Sequence, residues 1–170
     1  MFDIEKKACT LQHINIRDEK HGEENVLAVD IKFAGDFDGD ILAEFGPELR
    51  ASFYKKAEGG DLADQASTVP TALRFPKMIQ PLKFSDEIIG AAVTVAYGIG
   101  DIVLETCDIN NFRVECKDGG TVRVTYRVQA KPTGEQLAKL SQMLGSNVDV
   151  SIDPPEAENE QQQGEFREDA

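Results

Sequence analysis

A chain of 170 residues, 41% of them hydrophobic, is long enough to bury one substantial core. Its formal charge of −13 repels nucleic acid at long range unless positive charge is gathered locally, and no apolar run approaches the roughly 18–20 residues of a membrane-spanning helix. Three cysteines, Cys9, Cys107 and Cys116, make no disulfide framework, and the first residues lack a signal peptide's apolar stretch, so a soluble cytoplasmic protein with reduced thiols is expected.

Taken in chain order, residues 10–17 read as a weak strand and 20–24 as a polar turn. Residues 26–33 alternate cleanly, with Leu27, Val29, Ile31 and Phe33 on one side and Asp30 and Lys32 on the other. Gly46, Pro47 and Glu48 start a helix, with proline at the first helical position and an acid in the first turn. Leu49 and Phe53 share its inner face, and it ends near Lys55 and Lys56. Residues 56–70 form a long loop, followed by extended pieces at 71–75 and 82–84 punctuated by Pro76 and Pro81. Strands at 92–97 and 102–105 flank a bend at Gly98 and Gly100.

Residues 111–129 carry the clearest pattern, a hairpin whose Phe112, Val114 and Cys116 share a face with Val122, Val124, Tyr126 and Val128 across a turn at Asp118, Gly119 and Gly120. In that register Glu115 lies opposite Arg123 on the outer face. Thr133 and Gln136 have capping-box spacing, and Leu137, Leu140 and Leu144 continue one helix face until Gly145. A last strand at 148–152 stops at Pro154 and Pro155, and residues 156–170 are too polar and acidic to repay the entropy of ordering. The expected fold is mainly β: a single-domain barrel or sandwich with two short helices over residues 1–153, and a disordered, acidic, Gln-rich tail over 154–170.

Motifs for chemistry are weak. Asp36, Asp38 and Asp40 alternate as calcium ligands can, but an EF-hand loop needs glycine where Ile41 stands and a bidentate acid where Pro47 stands, which leaves an acidic turn. His13 and His21 have no partners at zinc spacing. Cys116 has the parity of the buried hairpin face, and Gly98 with Gly100 gives half a nucleotide-binding fingerprint followed by a strand, hence a bend. No nucleophile and base pair up at readable spacing, so a non-enzymatic protein without metal or cofactor is expected.

Charge is more informative. Residues 18–48 hold ten acids against Lys20 and Lys32, a net of −8. Residues 50–56 and 71–84 each hold three bases and no acid, and 113–131 hold five bases against two acids. Two basic stretches interleave aromatics, as single-stranded nucleic-acid sites do, with cations for phosphates and flat rings for bases. The candidate nucleic-acid-binding residues are therefore Tyr54, Lys55, Lys56, Arg74, Phe75, Lys77, Arg113, Arg123 and Arg127. Against this stand the lack of tryptophan, the inward parity of Phe112 and Tyr126, and a body whose charge stays at −7 without residues 153–170.

The segments HGEE at 21–24, AVDI at 28–31, GPELRASFY at 46–54, LRFP at 73–76, DIVLE at 101–105 and GGTVRVTYRV at 119–128 resemble uncharacterised proteins from the early, DNA-metabolism regions of tailed-phage and prophage genomes. The resemblance covers about residues 1–155 and implies a setting in a bacterial host's cytoplasm: phage replication, recombination or evasion of host defence. The tail resembles the partner-recruiting tails of single-strand binding proteins, with Glu165, Phe166, Glu168 and Asp169 as candidate partner contacts, but it departs from them because Phe166 is internal and the chain ends in Ala170. Two functions follow as expectations. One is a single-stranded-DNA-binding or recombination accessory protein whose partners are single-stranded DNA, phage or host DNA-processing proteins and further copies of itself, with no membrane role. The other is an acidic anti-host protein that uses residues 18–48 to imitate DNA or block a basic site on a host nuclease or defence factor.

Overall fold

Apolar and polar side chains alternate along most of this chain, and the places where the alternation skips a residue give the sheet its shape. The computed structural model describes residues 2–58, 69–98 and 100–156. Among the described residues nine strands carry the fold: β1 Ile4–His21, β2 Glu24–Asp38, β3 Tyr54–Lys55, β4 Ala72–Leu73, β5 Leu82–Phe84, β6 Ile88–Ala96, β7 Asp101–Cys116, β8 Thr121–Ala130 and β9 Asn147–Asp153. A 3-10 turn at Gly39–Glu44, the short helix α1 at Leu49–Phe53 and the helix α2 at Gly134–Gln142 complete the elements.

The large sheet runs β5-β7-β6-β9-β1-β2-β8, and β8 pairs again with β7, so the hydrogen-bonded order returns on itself. Every pairing is antiparallel. β3 and β4 form a separate two-stranded ribbon. The inner face is apolar throughout, with Leu11, Ile31, Phe33, Val93, Ile109, Val124 and Val150 all sealed from solvent. An aromatic cluster fills one end: Phe2 lies 5.2 Å from Phe112, Phe45 lies 5.3 Å from Phe112, and Phe33 stacks on Tyr126 at 5.7 Å between centroids.

Bulges interrupt the alternation, and four of them carry a residue with positive φ. In β1, Ile4 opposes Ile152 while Lys7 opposes Val150, so one residue is extra and Lys6 takes φ +45°. β6 gains one between Ile88 and Ala91, with Gly90 at +78°. β7 has two. The first lies between Leu104 and Cys107, with Thr106 at +56°. The second lies between Asn110 and Arg113, with Asn111 at +56°. Each extra residue bends its strand and moves the inward set from one parity to the other. Thus Ile102 and Leu104 face in, then Cys107 and Ile109, then Phe112, Val114 and Cys116.

The mainly β fold expected from the sequence is present. The hairpin, its turn at Gly119 and Gly120 (φ +95° and +90°), and the Glu115–Arg123 pairing all stand as read. So does the capping box, in which the Gln136 backbone N–H donates to Thr133 Oγ1 at 3.1 Å and the Thr133 N–H to Gln136 Oε1 at 3.0 Å. Four readings are corrected. The helix expected to open with Pro47 and to run to Lys55 and Lys56 spans only Leu49–Phe53, with Glu48 at its N-cap and Tyr54–Lys55 already extended in β3. The strands at 10–17 and 26–33 are parts of the longer β1 and β2. The strands expected at 102–105 and from 111 onward are one continuous β7, because bulges mimic a break in the pattern. Finally, α2 ends at Gln142, leaving Leu144 53% exposed beyond the helix face. Most of the expected 56–70 loop, and residues 157–170 of the expected tail, lie outside the described residues.

Two substitutions test this backbone. Left-handed backbone strains a β-branched side chain, so Thr106→Gly should leave stability unchanged or raise it by up to about 1 kcal/mol, against the usual cost of glycine in a strand. At Gly35 an added Cβ would sit 2.9 Å from Cys9 Sγ and 3.1 Å from the Phe37 ring, so Gly35→Ala should cost roughly 1–3 kcal/mol by overpacking. Urea unfolding midpoints of the two variants should move in opposite directions or, at the least, only the second should fall.

Candidate functional site

Strand register places side chains from distant parts of the chain in one row on the outer face. His13 of β1 opposes Lys32 of β2, which opposes Arg127 of β8. Arg127 opposes Asn110 of β7, and two residues along β8, Thr125 opposes Arg113. Arg113 in turn opposes Lys83 of β5. The Asn111 bulge is what turns Arg113 outward; continuing the parity of Cys107 and Ile109 would have pointed it into the core.

Two of these oppositions, Lys32 with Arg127 and Lys83 with Arg113, set like charges directly across the ladder, an arrangement that destabilises a sheet. Elsewhere on the same face opposite charges meet: Arg123 pairs with Asp36 at 3.2 Å and also lies opposite Glu115. Among the described residues, Lys32, Lys83, Arg113 and Arg127 enter none of the ion pairs. Arg113 Nε is sealed from solvent with no hydrogen-bond partner. A cavity of about 280 Å³ opens here, lined by His13, Lys32, Thr125, Arg113 and Arg127 among others.

The acid that lines the cavity, Asp30, is already engaged. Arg17 grips it with two bonds, Nε to Oδ2 at 3.0 Å and Nη2 to Oδ1 at 2.9 Å, and Gln129 Nε2 donates to it at 3.3 Å. From there a polar chain crosses the face: Asn110 Nδ2 donates to Gln129 Oε1 at 3.0 Å, and Arg127 Nε donates to Asn110 Oδ1 at 2.9 Å. Arg127 is thereby oriented by a neutral amide, and its charge is not cancelled. At the far end Arg17 and the neighbouring Glu19 also bond, which holds the Glu19 carboxyl below its ordinary range.

The residues singled out in the sequence separate into three groups. Arg113 and Arg127 line the cavity, while Arg123 faces outward but is matched by Asp36. Lys55, Lys56, Phe75 and Lys77 lie apart from it on the protein's surface, Phe75 with 55% of its own surface free. Arg74 is exposed too, but its Nε is held by the carbonyls of Ala51 and Tyr54 at 2.8 and 3.0 Å. Tyr54 is a correction. It is wholly buried, and its hydroxyl donates to the carbonyls of Lys117 and Thr121, clasping the β7–β8 turn, so its ring is not offered to a base. Lys32, Lys83 and His13 were missed because their place depends on which strands pair. Glu165, Phe166, Glu168 and Asp169 lie outside the described residues.

The remaining sequence motifs have structural employment. Asp38 caps the 3-10 turn by accepting from the Asp40 N–H at 3.1 Å, and both acids pair with Arg50. Among the described residues no group of three or more His, Cys, Asp or Glu side chains converges to hold a metal ion. All three cysteines are buried and free. Burial raises each thiol, with Cys107 pushed up to about 12, and Cys9 shares a 3.3 Å hydrogen bond with the Tyr126 hydroxyl.

No family model matches this chain, and neither a curated protein nor a solved structure shows significant similarity to it.

The thiol environment makes a direct prediction. A thiol with a raised pKa holds little nucleophilic thiolate at pH 8, and burial keeps reagent out. Iodoacetamide should label none of Cys9, Cys107 and Cys116 in the native protein and all three in denaturant, as intact-mass spectrometry will read. Rapid native labelling of any one would show that its pocket is open.

Proposed function

We propose that this protein binds single-stranded DNA as a non-enzymatic accessory of phage replication or recombination, through the outer face of β5, β7, β8 and β2. The observation that carries the reading is the pair of like-charge oppositions, Lys32 with Arg127 and Lys83 with Arg113, kept on a chain whose formal charge is −13. Repulsion that persists because the neighbouring acid, Asp30, is already held by Arg17 suits a surface awaiting an anion. The segment holding exposed Phe75 and Lys77 leads directly into β5 and Lys83, so a stacking ring and further cations adjoin the face along the chain. The return of β8 to β7 reads as closure into a six-stranded barrel, and small β-barrels serve other single-strand binders; that support is by analogy. The resemblance to phage early-region proteins supplies the setting, and the acidic Gln-rich tail is proposed to recruit partner proteins and to compete with DNA for the basic face.

The acidic anti-host reading draws less support. Of the ten acids in residues 18–48, Glu19, Asp30, Asp36, Asp38 and Asp40 are engaged by the protein's own bases, which diminishes the resemblance to a row of phosphates.

Fluorescence anisotropy with a labelled single-stranded oligonucleotide tests the proposal. Affinity should fall as salt rises, and Lys77→Ala with Lys83→Ala should flatten the log–log slope by about 0.7 for each phosphate that is no longer neutralised. Removing residues 156–170 deletes six acids and one base and should tighten binding, most of all at low salt. No binding at low salt to any single strand, with inhibition of a host DNA-processing enzyme, would move the function to the acidic segment.

A further inference from the structure

We infer that the cavity between His13, Lys32, Arg113 and Arg127 is a binding site for a phosphate monoester, supplied by the phosphorylated end of a nucleic-acid strand or by a small phosphate ester. The inference rests on the reading of this face as a phosphate-binding surface and narrows it to one seat and one charge state.

Charge balance is the first argument. Lys32, Arg113 and Arg127 bring three positive charges to the cavity, and Asp30, the acid in its lining, has both carboxylate oxygens taken by Arg17. A phosphodiester inside a strand offers a single negative charge, whereas a monoester carries about −1.5 to −2 at neutral pH and three terminal oxygens as acceptors. Two guanidinium groups and an ammonium suit that tetrahedral group, since arginine binds phosphate oxygens in forked pairs and lysine as a point charge. Size agrees: about 280 Å³ falls just below the range typical of pockets for whole small molecules, roughly 300–1,000 Å³.

The arrangement also costs the protein stability when nothing is bound. Lys32 and Arg127 oppose each other directly, and Arg113 Nε is buried without any acceptor. That sealed nitrogen is a further cost that the protein bears at this place without a partner. Asn111, which lines the same cavity, holds the left-handed backbone that turns Arg113 toward it.

Thermal unfolding of the full chain with sodium phosphate, against sodium chloride at matched ionic strength, is the first measurement. Phosphate should raise the melting temperature beyond chloride in a saturable way. The variant Lys32→Gln with Arg127→Gln should melt as high as the parent or higher without phosphate, because a repulsion is gone, and should lose the phosphate-specific shift. Residues with only a structural role would instead lower the melting temperature when replaced. A parent shift equal to that of chloride, or one that survives in the variant, overturns the inference. Should the variant fail to fold, the Arg113→Gln protein, which removes one of the three charges, is the second probe, and an undiminished phosphate shift there also overturns it.

Oligonucleotides of one sequence then separate the sources. A strand bearing a terminal phosphate that binds about tenfold tighter than its hydroxyl-ended twin assigns the seat to a strand end. Equal affinities together with a phosphate-specific shift assign it to a small phosphate ester. A phosphate-specific shift with no oligonucleotide binding at all leaves this site standing and removes the single-strand reading. Oligonucleotide binding without a phosphate-specific shift does the reverse.

Discussion

The fold hangs on bulges. A strand of 16 residues such as β7 cannot serve β6, β5 and β8 with one unbroken alternation, because its neighbours change along its length. β6 pairs with it through Asp101 to Ile109, and β5 takes over beside Phe112 to Val114. Each extra residue lets the strand bend and exchange parity, so that apolar side chains stay inside. The consequence is left-handed backbone at Lys6, Thr106 and Asn111, none of them glycine. A sheet that joins β8 back to β7 has few edges left to protect, and the short β5 covers part of what remains.

That curvature decides the electrostatics. Acids outnumber bases by 31 to 18 over the chain, so a base without an acid nearby is the unusual case. Elsewhere the protein matches its charges, Arg123 and Lys117 with Asp36 and Arg50 with Asp38 and Asp40. In the cavity the lining acid Asp30 is taken by Arg17, and Lys32, Arg113 and Arg127 enter no ion pair among the described residues. Exposed pairs of this sort contribute little stability individually, so their value lies in removing acids from competition for the remaining bases.

How much was legible in the sequence follows from the range of each signal. The 111–129 hairpin, the α2 capping box and the β2 alternation were readable because all their information is local. The middle of β7 was not, since bulges at Thr106 and Asn111 look the same in sequence as the end of one strand and the start of another. Tyr54 misled because aromatic residues beside lysines suit a stacking site and a core anchor equally well. Only its burial and the two carbonyls it bonds distinguish them. Arg113 and Arg127 were visible as basic hairpin residues, but Lys32 sat inside the most acidic stretch of the chain and counted there as a minor offset. Its role needs the β2–β8 register, in which residues almost a hundred positions apart become neighbours.

The same dependence joins the site to folding. Arg113 and Arg127 come with one local hairpin, whereas Lys32 arrives only when β2 docks on β8, and Lys83 only when β5 docks on β7. Long-range pairings of that kind form against loop-closure entropy and are favoured by whatever binds the completed arrangement and not the open chain. Each docking event here also brings two like charges into opposition. An anion in the proposed seat would act on the β2–β8 pairing itself, relieving the repulsion between Lys32 and Arg127. The protein alone bears this strain because its core of interlocked aliphatic and aromatic side chains greatly outweighs one unfavourable cross-strand pair.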